Sequence, residues 1–341
     1  MARIVGVLHV SHSPVCSMPA EHWTELRRSR HLRADVPVDS EADQIAKAGR
    51  IEAAFAALRA RLAEMAPDVL VIFGDDHYEC FTFAGFPALA VWVADELVGA
   101  AGLPRRPGDI GRHDAATARP VPGHGALGGA IVAGLLRRGF DPAFCTEVDD
   151  PAHGLGHAIM RPLLSLTDGS VPVVPILLNC YFRPQVTGRR AYEIGRAVGQ
   201  AIEDDPTDLR VVVVGSGGLW HTPGADGAYI DEAFDTALLD ALRDGKPARM
   251  AELFDAYGPD PSDVSQTGLP RGQRHTGMAT LGGPQGGTRE ACNWIAATAT
   301  VDGRGATVVD YVPVYASPVG LGFAYVSAEE GGEHGPQSTR Q

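Results

Sequence analysis

The chain has 341 residues, of which 45% are hydrophobic and 21% are charged, values typical of a globular protein with a sizeable core. Its length fits two average domains, but single α/β domains of this size are common. The formal net charge is −13, and the basic residues form no run that would line a phosphate backbone. We therefore exclude nucleic acid and anionic membranes as partners.

The N-terminus and the cysteines bear on the compartment. The first residues, MARIVGVLHVSHSP, hold a short apolar run broken by two histidines and no small-residue cleavage site, so we expect no signal peptide. No apolar stretch approaches the ~18–20 residues that span a bilayer. The five cysteines are scattered and never form C-x-x-C. We expect a soluble protein of the reducing cytoplasm, with the oligomeric state left open, a homo-oligomer included.

Short β-branched runs alternate with longer amphipathic patterns along the chain. The runs predict strands at residues 4–10, 69–73, 88–93, 171–178, 209–214 and 306–312. The patterns predict helices at residues 41–65, 126–138, 189–203, 231–242 and 289–297. Such alternation is typical of an α/β fold with a central mixed, largely parallel sheet flanked by helices.

The remaining segments predict the domain boundaries and two special loops. Residues 102–125 and 258–287 are rich in Gly and Pro and have the length of binding loops or lids. The last stretch, residues 327–341, is nearly free of apolar side chains and is expected to be a disordered tail. We therefore predict one domain at residues 1–326.

Three histidines follow predicted strands. His12 comes after the first strand, His77 after the second, and His221 after the strand at 209–214. Ligands of open α/β sheets bind beyond the carboxyl ends of the strands, so these side chains are candidates for one site. Adjacent parallel strands would bring His12 and His77, far apart in the chain, to the same crevice. This arrangement predicts a catalytic metal that is held by the fold and keeps open coordination positions.

Glu290 is the best acidic candidate for a third metal ligand. It stands where a Gly-rich segment enters a predicted helix, in the first turn and facing inward with Trp294. The helix dipole alone also favours an acid at this position, so the pattern leaves a purely structural role open.

Seven segments, taken in chain order, resemble one enzyme superfamily. They are SHSP at 11–14, PDVLVIFGDDHYECF at 67–81, GLGHA at 154–158, VPVVPILLN at 171–179, SGGLWH at 216–221, GTREACNWIAA at 287–297 and YVPVYASPVGLGFA at 311–324. In these motifs the chain resembles the class III extradiol ring-cleavage dioxygenases, the superfamily of the protocatechuate 4,5-dioxygenase catalytic subunit. Within the superfamily it is most similar to the 3-O-methylgallate dioxygenase-like members.

The resemblance implies a non-haem Fe(II) dioxygenase that cleaves the ring of a catecholic or gallate-type substrate with O2. It implies that His12, His77 and Glu290 hold the Fe(II) as two imidazoles and one carboxylate. It further implies that His221 is the acid/base group of the reaction.

A further histidine, placed before a helix at about residues 158–164, is implied to contact the substrate. The chain offers His157, which keeps the GHA context and the spacing to Pro162, and His153, which keeps a His-Gly pair. We favour His157, because the N-terminus of the helix lowers the pKa of an imidazole there and keeps it neutral.

Several residues have a second interpretation. Trp220 departs from the superfamily pattern, which usually has a small polar residue before the histidine; its indole would line the pocket or lie in the core. Asp75 and Asp76 are interpreted as orienting His77 and capping the following turn. The glycines at 215–218 lack the spacing of a phosphate-binding loop.

Two other functions remain open from the sequence. A zinc-dependent, non-redox hydrolase or lyase would use the same ligands, because nothing in the ligand set excludes Zn²⁺. A non-catalytic binding relative is the third hypothesis, and the presence of all the ligands argues against it. Consumption of O2 with a catechol separates the first function from the second.

Overall fold

The structure, a computed structural model, describes residues 1–82, 84–100, 102–109, 117–148, 150, 154–182, 185–222, 226–257 and 288–327. The predicted loop at 258–287 lies outside the described residues, as does the predicted tail from residue 328 onwards. Ser327, which the sequence assigns to the tail, is the last residue of a strand.

The described residues form ten strands and eight α-helices. Strands β1–β10 are Arg3–Val10, Val69–Gly74, Leu89–Trp92, Glu96–Ala100, Ala118–Pro122, Ala143–Cys145, Val173–Leu178, Arg210–Ser216, Thr307–Val314 and Val319–Ser327. Helices α1–α8 are Trp23–Arg28, Glu41–Met65, Gly125–Arg137, His157–Leu166, Gly188–Glu203, Glu232–Arg243, Pro247–Tyr257 and Ala291–Ala299.

Eight strands form one sheet in the order β6-β3-β7-β2-β8-β1-β10-β9. The centre is parallel, since β8 pairs in parallel with both β1 and β2, and β2 pairs in parallel with β7. Antiparallel pairs join β3 to β7, β1 to β10 and β10 to β9. The predicted fold class, an α/β domain with a mixed, largely parallel sheet, is confirmed.

The central strands are apolar on both faces because helices cover both sides of the sheet. Along β2, the side chains of Val69, Val71 and Phe73 enter one core, and those of Leu70 and Ile72 enter the other. The first core contains α3, α5, α6, α7 and α8, and the second contains α1, α2 and α4. This double burial explains why the strands appear in the sequence as continuous apolar runs.

The structure corrects one expectation about the strand order. Strands β1 and β2, which precede His12 and His77, are not neighbours, because β8 lies between them. The site therefore spans the ends of three parallel strands. The middle strand ends in Gly215 and Ser216, and the Ser216 hydroxyl lies 2.8 Å from Nδ1 of His12.

The prediction of a loop at 102–125 is wrong in part, because residues 118–122 form β5, which pairs antiparallel with β4. Pro120 and Pro122 in β5 disguise it in the sequence, although a two-stranded ribbon tolerates proline where the missing N–H faces away from the partner. Strand β10 was also missed. Its Gly322 weakens the strand pattern, but a Cβ there would lie 2.6 Å from the ring of Trp294.

None of the described helices combines the length and the apolar character that a bilayer crossing demands.

A buried carboxylate, Asp235, ties α6 to the sheet. Its oxygens accept hydrogen bonds from the Trp220 backbone N–H at 2.7 Å and from the Tyr311 hydroxyl at 2.6 Å. Burial raises the pKa of Asp235 to about 7, although these two hydrogen bonds act in the opposite direction. The folded protein thus holds this proton to a higher pH than the unfolded chain does.

We expect the wild-type protein to lose stability relative to Asp235→Asn as the pH rises from about 4 to about 7. Because the pKa is raised on folding, the stabilisation is complete below the ordinary value of 3.8 and is lost as the pH approaches 7. The slope is at most about 1.4 kcal/mol per pH unit. Urea unfolding of both proteins across this range measures it, and parallel stability profiles would contradict the assignment.

Candidate metal centre

Side chains from the ends of β1 and β2 and from the start of α4 converge in one place. The ring centroid of His157 lies 4.8 Å from that of His12 and 4.6 Å from that of His77. The rings of His12 and His77 are 6.5 Å apart. Two of the predicted metal ligands and the favoured substrate residue therefore surround the same space.

The hydrogen bonds of His12 determine which of its ring nitrogens is free. Its Nδ1 lies 2.8 Å from the Ser216 hydroxyl oxygen, and that hydroxyl donates to the carbonyl of Ala158 at 2.6 Å. Because Ser216 donates its one hydroxyl hydrogen to Ala158, its oxygen must accept a hydrogen bond from Nδ1–H of His12. The lone pair of His12 then lies on Nε2, which is buried without a hydrogen-bond partner. This is the tautomer that a metal ligand requires.

His77 follows β2 and turns its Nε2 towards two carboxylates. This atom lies 2.6 Å from Asp75 Oδ2 and 3.6 Å from Glu290 Oε1. Neither Nε2 nor Asp75 Oδ2 has a hydrogen-bond partner of acceptable geometry, although both are buried. The two atoms thus face the same point without bonding to each other.

Glu290 is the N-cap residue of α8, next to the first turn in which the sequence predicted it. Its Oε2 accepts from the Gly218 backbone N–H at 2.6 Å, and its Oε1 accepts from the Tyr181 hydroxyl at 2.5 Å. Oε1 also lies 3.4 Å from Nε2 of His12. A Cβ at Gly217 would stand 2.7 Å from the Glu290 Cβ, so the glycines after β8 make room for this carboxylate.

The electrostatics of the site favour a cation. Burial acts to lower the pKa of His77, but Asp75 and Glu290 outweigh it and raise that pKa to about 10. Burial likewise acts to raise the pKa of Glu290, but His221 and His12 outweigh it and hold that pKa well below its usual range. A divalent metal ion would take the place of the proton that the carboxylates attract to His77.

His221 approaches the same oxygen of Glu290 as His12 and His77 do. Its Nε2 is 3.0 Å from Glu290 Oε1 and 2.6 Å from the Tyr181 hydroxyl oxygen. Because Tyr181 donates its one hydrogen to Glu290, His221 must donate Nε2–H to the phenol oxygen. Its Nδ1 is buried without a hydrogen-bond partner.

His157 is the first residue of α4, which begins one position before the start that the sequence predicted. Its backbone N–H and its Nδ1 both bond to the Glu79 carboxylate, at 3.1 Å and 2.8 Å. Burial, helped by Arg161 and His77 and opposed by Glu79, lowers the pKa of His157 to about 4. The expected neutral imidazole is thus present, with burial rather than the helix end as the first cause. His153, the other candidate, lies outside the described residues.

Trp220 and Asp76 have structural roles. The indole of Trp220 is fully buried, and its N–H donates to the carbonyl of Tyr229, so it belongs to the core and does not line the pocket. The Asp76 carboxylate accepts from three backbone N–H groups, those of Glu79, Cys80 and Phe81. Asp76 therefore caps the turn that follows His77, whereas its neighbour Asp75 faces the metal ligands.

Sequence reasoning missed Tyr181, and the orienting role that it gave Asp75 stays a prediction, with Asp75 Oδ2 lying 2.6 Å from His77 Nε2. Tyr181 follows β7 by three residues, so the strand-end criterion that selected the histidines would have found it too. For Asp75 the signal was the pair of acids before His77. Only the fold shows that the two acids point to different partners, since Asn293 from α8 donates to Asp75 Oδ1 at 3.2 Å.

The residues fit a divalent metal. His12 Nε2, His77 Nε2 and Asp75 Oδ2 are buried and unpartnered, which is unfavourable unless a cation sits between them. The ligand atoms of His12, Asp75 and Glu290 all lie within 4.8 Å of one another. Imidazole nitrogen with carboxylate oxygen is a donor set that suits first-row transition metals.

Fold and site together define a class of protein: an α/β protein that gathers histidines and carboxylates into a metal centre at the carboxyl ends of its strands. The family described as "Catalytic LigB subunit of aromatic ring-opening dioxygenase" matches residues 34–297. The chain belongs to this family, whose members are metal-dependent dioxygenases. The matched range includes His77, His221 and Glu290, whereas His12 precedes it.

Individual relatives are more distant. A 2,3-dihydroxyphenylpropionate/2,3-dihydroxicinnamic acid 1,2-dioxygenase of Rhodococcus sp is 35% identical over 51% of this chain and 49% of its own length. The protein of the same name from Mycobacterium sp. (strain MCS) is 29% identical over 65% of this chain and 58% of its own length. The chain thus spans about half the length of the curated relatives it matches.

Among solved structures, an uncharacterized protein JW3007 from Escherichia coli K12 covers 95% of this chain at a TM-score of 0.49 and 13% identity.

The superfamily that the sequence motifs indicated is confirmed. The narrower likeness to 3-O-methylgallate dioxygenase-like members stays a prediction, because the two curated relatives carry a different substrate in their names.

We expect His12→Ala, His77→Ala and Glu290→Ala each to abolish iron binding and to leave the protein folded, since these side chains serve the site at the ends of its elements. Metal analysis after anaerobic loading, with circular dichroism, measures both. His31→Ala, at a side chain that is 82% exposed, is the matched control and should bind iron normally. Full iron occupancy in any of the three variants would remove that residue from the ligand set.

Proposed function

We propose that the protein is a non-haem Fe(II)-dependent extradiol dioxygenase, which opens the aromatic ring of a catecholic or gallate-type substrate and incorporates both atoms of O2. The proposal rests on one observation above all: His12 Nε2, His77 Nε2 and Glu290 Oε1 converge in a chain of the ring-opening dioxygenase family. These three residues are the proposed ligands of Fe(II).

Fe(II) in such a ligand set supplies the one-electron chemistry that lets O2 react with an aromatic ring, a reaction that spin rules otherwise forbid. The protein supplies two imidazoles and a fixed carboxylate, and His77 would release its proton when the metal binds. Ser216 holds His12 with its Nε2 lone pair free, and Gly218 and Tyr181 hold the Glu290 carboxylate in place. Ligands that are fixed before the metal arrives need little rearrangement when it binds.

His157 is the proposed substrate residue. Its Nδ1 is engaged by Glu79, so Nε2 is the nitrogen available to accept a proton from a substrate hydroxyl. Because its pKa is lowered to about 4, the imidazole is neutral at physiological pH and keeps the Nε2 lone pair with which it would accept a hydrogen bond or a proton from the substrate. Deprotonation of a catechol beside the metal is the step that this group would assist.

His221 is the proposed acid/base group for the later proton transfers. It is buried, and its Nε2–H is held by the Tyr181 hydroxyl and faces Glu290. A histidine suits this position because it both donates and accepts protons, whereas a second carboxylate there would repel an anionic intermediate.

Family membership favours this function over a zinc-dependent hydrolase or lyase and over a non-catalytic binding relative. For the compartment we propose the cytoplasm, whose reducing conditions keep cysteines such as these five as free thiols.

The decisive experiment loads the metal-free protein anaerobically with Fe(II) and adds a panel of protocatechuate, gallate, 3-O-methylgallate and 2,3-dihydroxyphenylpropionate. An oxygen electrode and the absorbance of a yellow ring-opened product record turnover. The Zn²⁺-loaded protein is the control and should consume no O2. The proposal would be overturned if the iron-loaded protein consumed no O2 with any of these catechols. It would also be overturned if the Zn²⁺-loaded protein hydrolysed one of them.

We expect His221→Phe to bind iron normally but to turn over about 10²–10⁴-fold more slowly, the usual effect of losing a positioned acid/base group. Phenylalanine keeps the ring and removes both nitrogens, so metal analysis and steady-state kinetics separate the two roles. Near-normal kcat in the iron-loaded variant would show that the reaction does not use His221.

We expect His157→Ala to reduce catechol turnover far more than His153→Ala does. His157 carries the lowered pKa and lies within 5 Å, between ring centroids, of two proposed ligands, whereas His153 stands earlier in the chain before α4. Steady-state kinetics of both iron-loaded variants measures the difference. The reverse order would transfer the substrate role to His153.

A further inference from the structure

Asp75 is a fully buried carboxylate beside the proposed metal ligands, and one of its oxygens has no hydrogen bond within the described residues. The residue follows β2 directly, and its side chain has no exposed surface. Its Oδ1 accepts from the Asn293 amide at 3.2 Å, and the same amide also donates to the carbonyl of Ser216 at 2.9 Å. This arrangement orients the carboxylate and leaves Oδ2 as the free oxygen.

The free oxygen points to the place where the other ligand atoms meet. Asp75 Oδ2 lies 2.6 Å from His77 Nε2, yet the pair lacks hydrogen-bond geometry, and both atoms are otherwise unpartnered. The ligand atoms of Asp75, His12 and Glu290 fall within 4.8 Å of one another. A buried anionic oxygen that has no donor is unfavourable, and a cation shared with the imidazoles removes that penalty.

The neighbouring acid shows what a structural carboxylate looks like at this position. Both oxygens of Asp76 accept from backbone N–H groups of the following turn. Asp75 has no such ties at Oδ2, although it is the more deeply buried of the two. The fold thus uses both oxygens of Asp76, whereas it orients Asp75 through Oδ1 and leaves Oδ2 available to a ligand.

We propose that Asp75 is a fourth protein ligand of the metal, so that the resting centre is formed by two histidines and two carboxylates. Two carboxylates and two neutral imidazoles balance the charge of a divalent cation and favour hard, oxygen-preferring ions such as Mn²⁺ and Fe²⁺. The inference rests on the metal centre of the proposed function but not on the ring-cleavage reaction.

Metal titration of the metal-free protein provides the first test. Asp75→Asn keeps the shape of the side chain and an oxygen that can accept the hydrogen bond from Asn293. We expect this variant to raise the Kd for Mn²⁺ by about tenfold or more. Competition with a chelating dye measures the Kd. Asp235→Asn, which removes a buried carboxylate bonded to Trp220 and Tyr311, is the matched control and should stay within about twofold of wild type. An unchanged Kd in Asp75→Asn would overturn the proposal.

A second test separates direct ligation from an effect that acts through His77. Asp75→Cys places a thiolate at the same position, and Co²⁺ bound to a thiolate shows an intense near-ultraviolet charge-transfer band. We expect the band in cobalt-loaded Asp75→Cys and not in cobalt-loaded Asp76→Cys or in wild type, whose native cysteines serve as the blank. Bound cobalt without the band in Asp75→Cys would exclude ligation by residue 75.

The Mn²⁺ titration keeps the proposal falsifiable should Asp75→Cys fail to fold. Asp75→Asn is isosteric with the native residue, so an unchanged Kd in that variant overturns the proposal without the cobalt measurement. Neither measurement uses O2, a catechol or turnover. Failure of the ring-cleavage assay therefore leaves this inference standing, and an unaffected Mn²⁺ affinity in Asp75→Asn leaves the proposed reaction standing.

Discussion

The burial of one carboxylate, Glu290, determines how the rest of the site is built. An anionic side chain taken out of water needs donors or a cation on every side. The Gly218 N–H and the Tyr181 hydroxyl satisfy it from the protein, and His12 and His221 approach it from two directions. Gly217, which follows β8 and has no side chain, leaves space for the Glu290 side chain, and the start of α8 fixes the Glu290 backbone. The positions of these neighbours thus follow from the need to compensate the negative charge of Glu290.

Much of the site could be located from the sequence by taking the polar residues that follow the strands, because helices cover both faces of the sheet. Strands buried on both faces are continuous apolar runs, so their ends are visible in the sequence and the first polar residues after them are candidates. This selected His12, His77 and His221 without structural information. The helix signals were equally direct for α2, whose Ser40 and Asp43 form a reciprocal cap.

The remaining features depend on contacts between distant parts of the chain. Tyr181 matters because its hydroxyl meets Glu290, more than a hundred positions away, and no local pattern encodes that meeting. Asp75 and Asp76 look alike in sequence, yet Asn293 engages the first and a local turn engages the second. The sequence signal of strand β10 is weakened by Gly322, where packing against Trp294 leaves no room for a Cβ. In each case tertiary packing overrides the local signal.

The position of β1 within the sheet has a consequence for the order of assembly. The strand that precedes His12 is the first to be synthesised, but its two partners are β8 and β10, and β10 ends only at Ser327. Pairings of such long sequence separation form slowly and late. On the ribosome, β1 therefore stays unpaired until β8 has emerged, and its second edge stays open until β10 follows. The histidine after β1 thus joins the site only after more than half of the described chain is available.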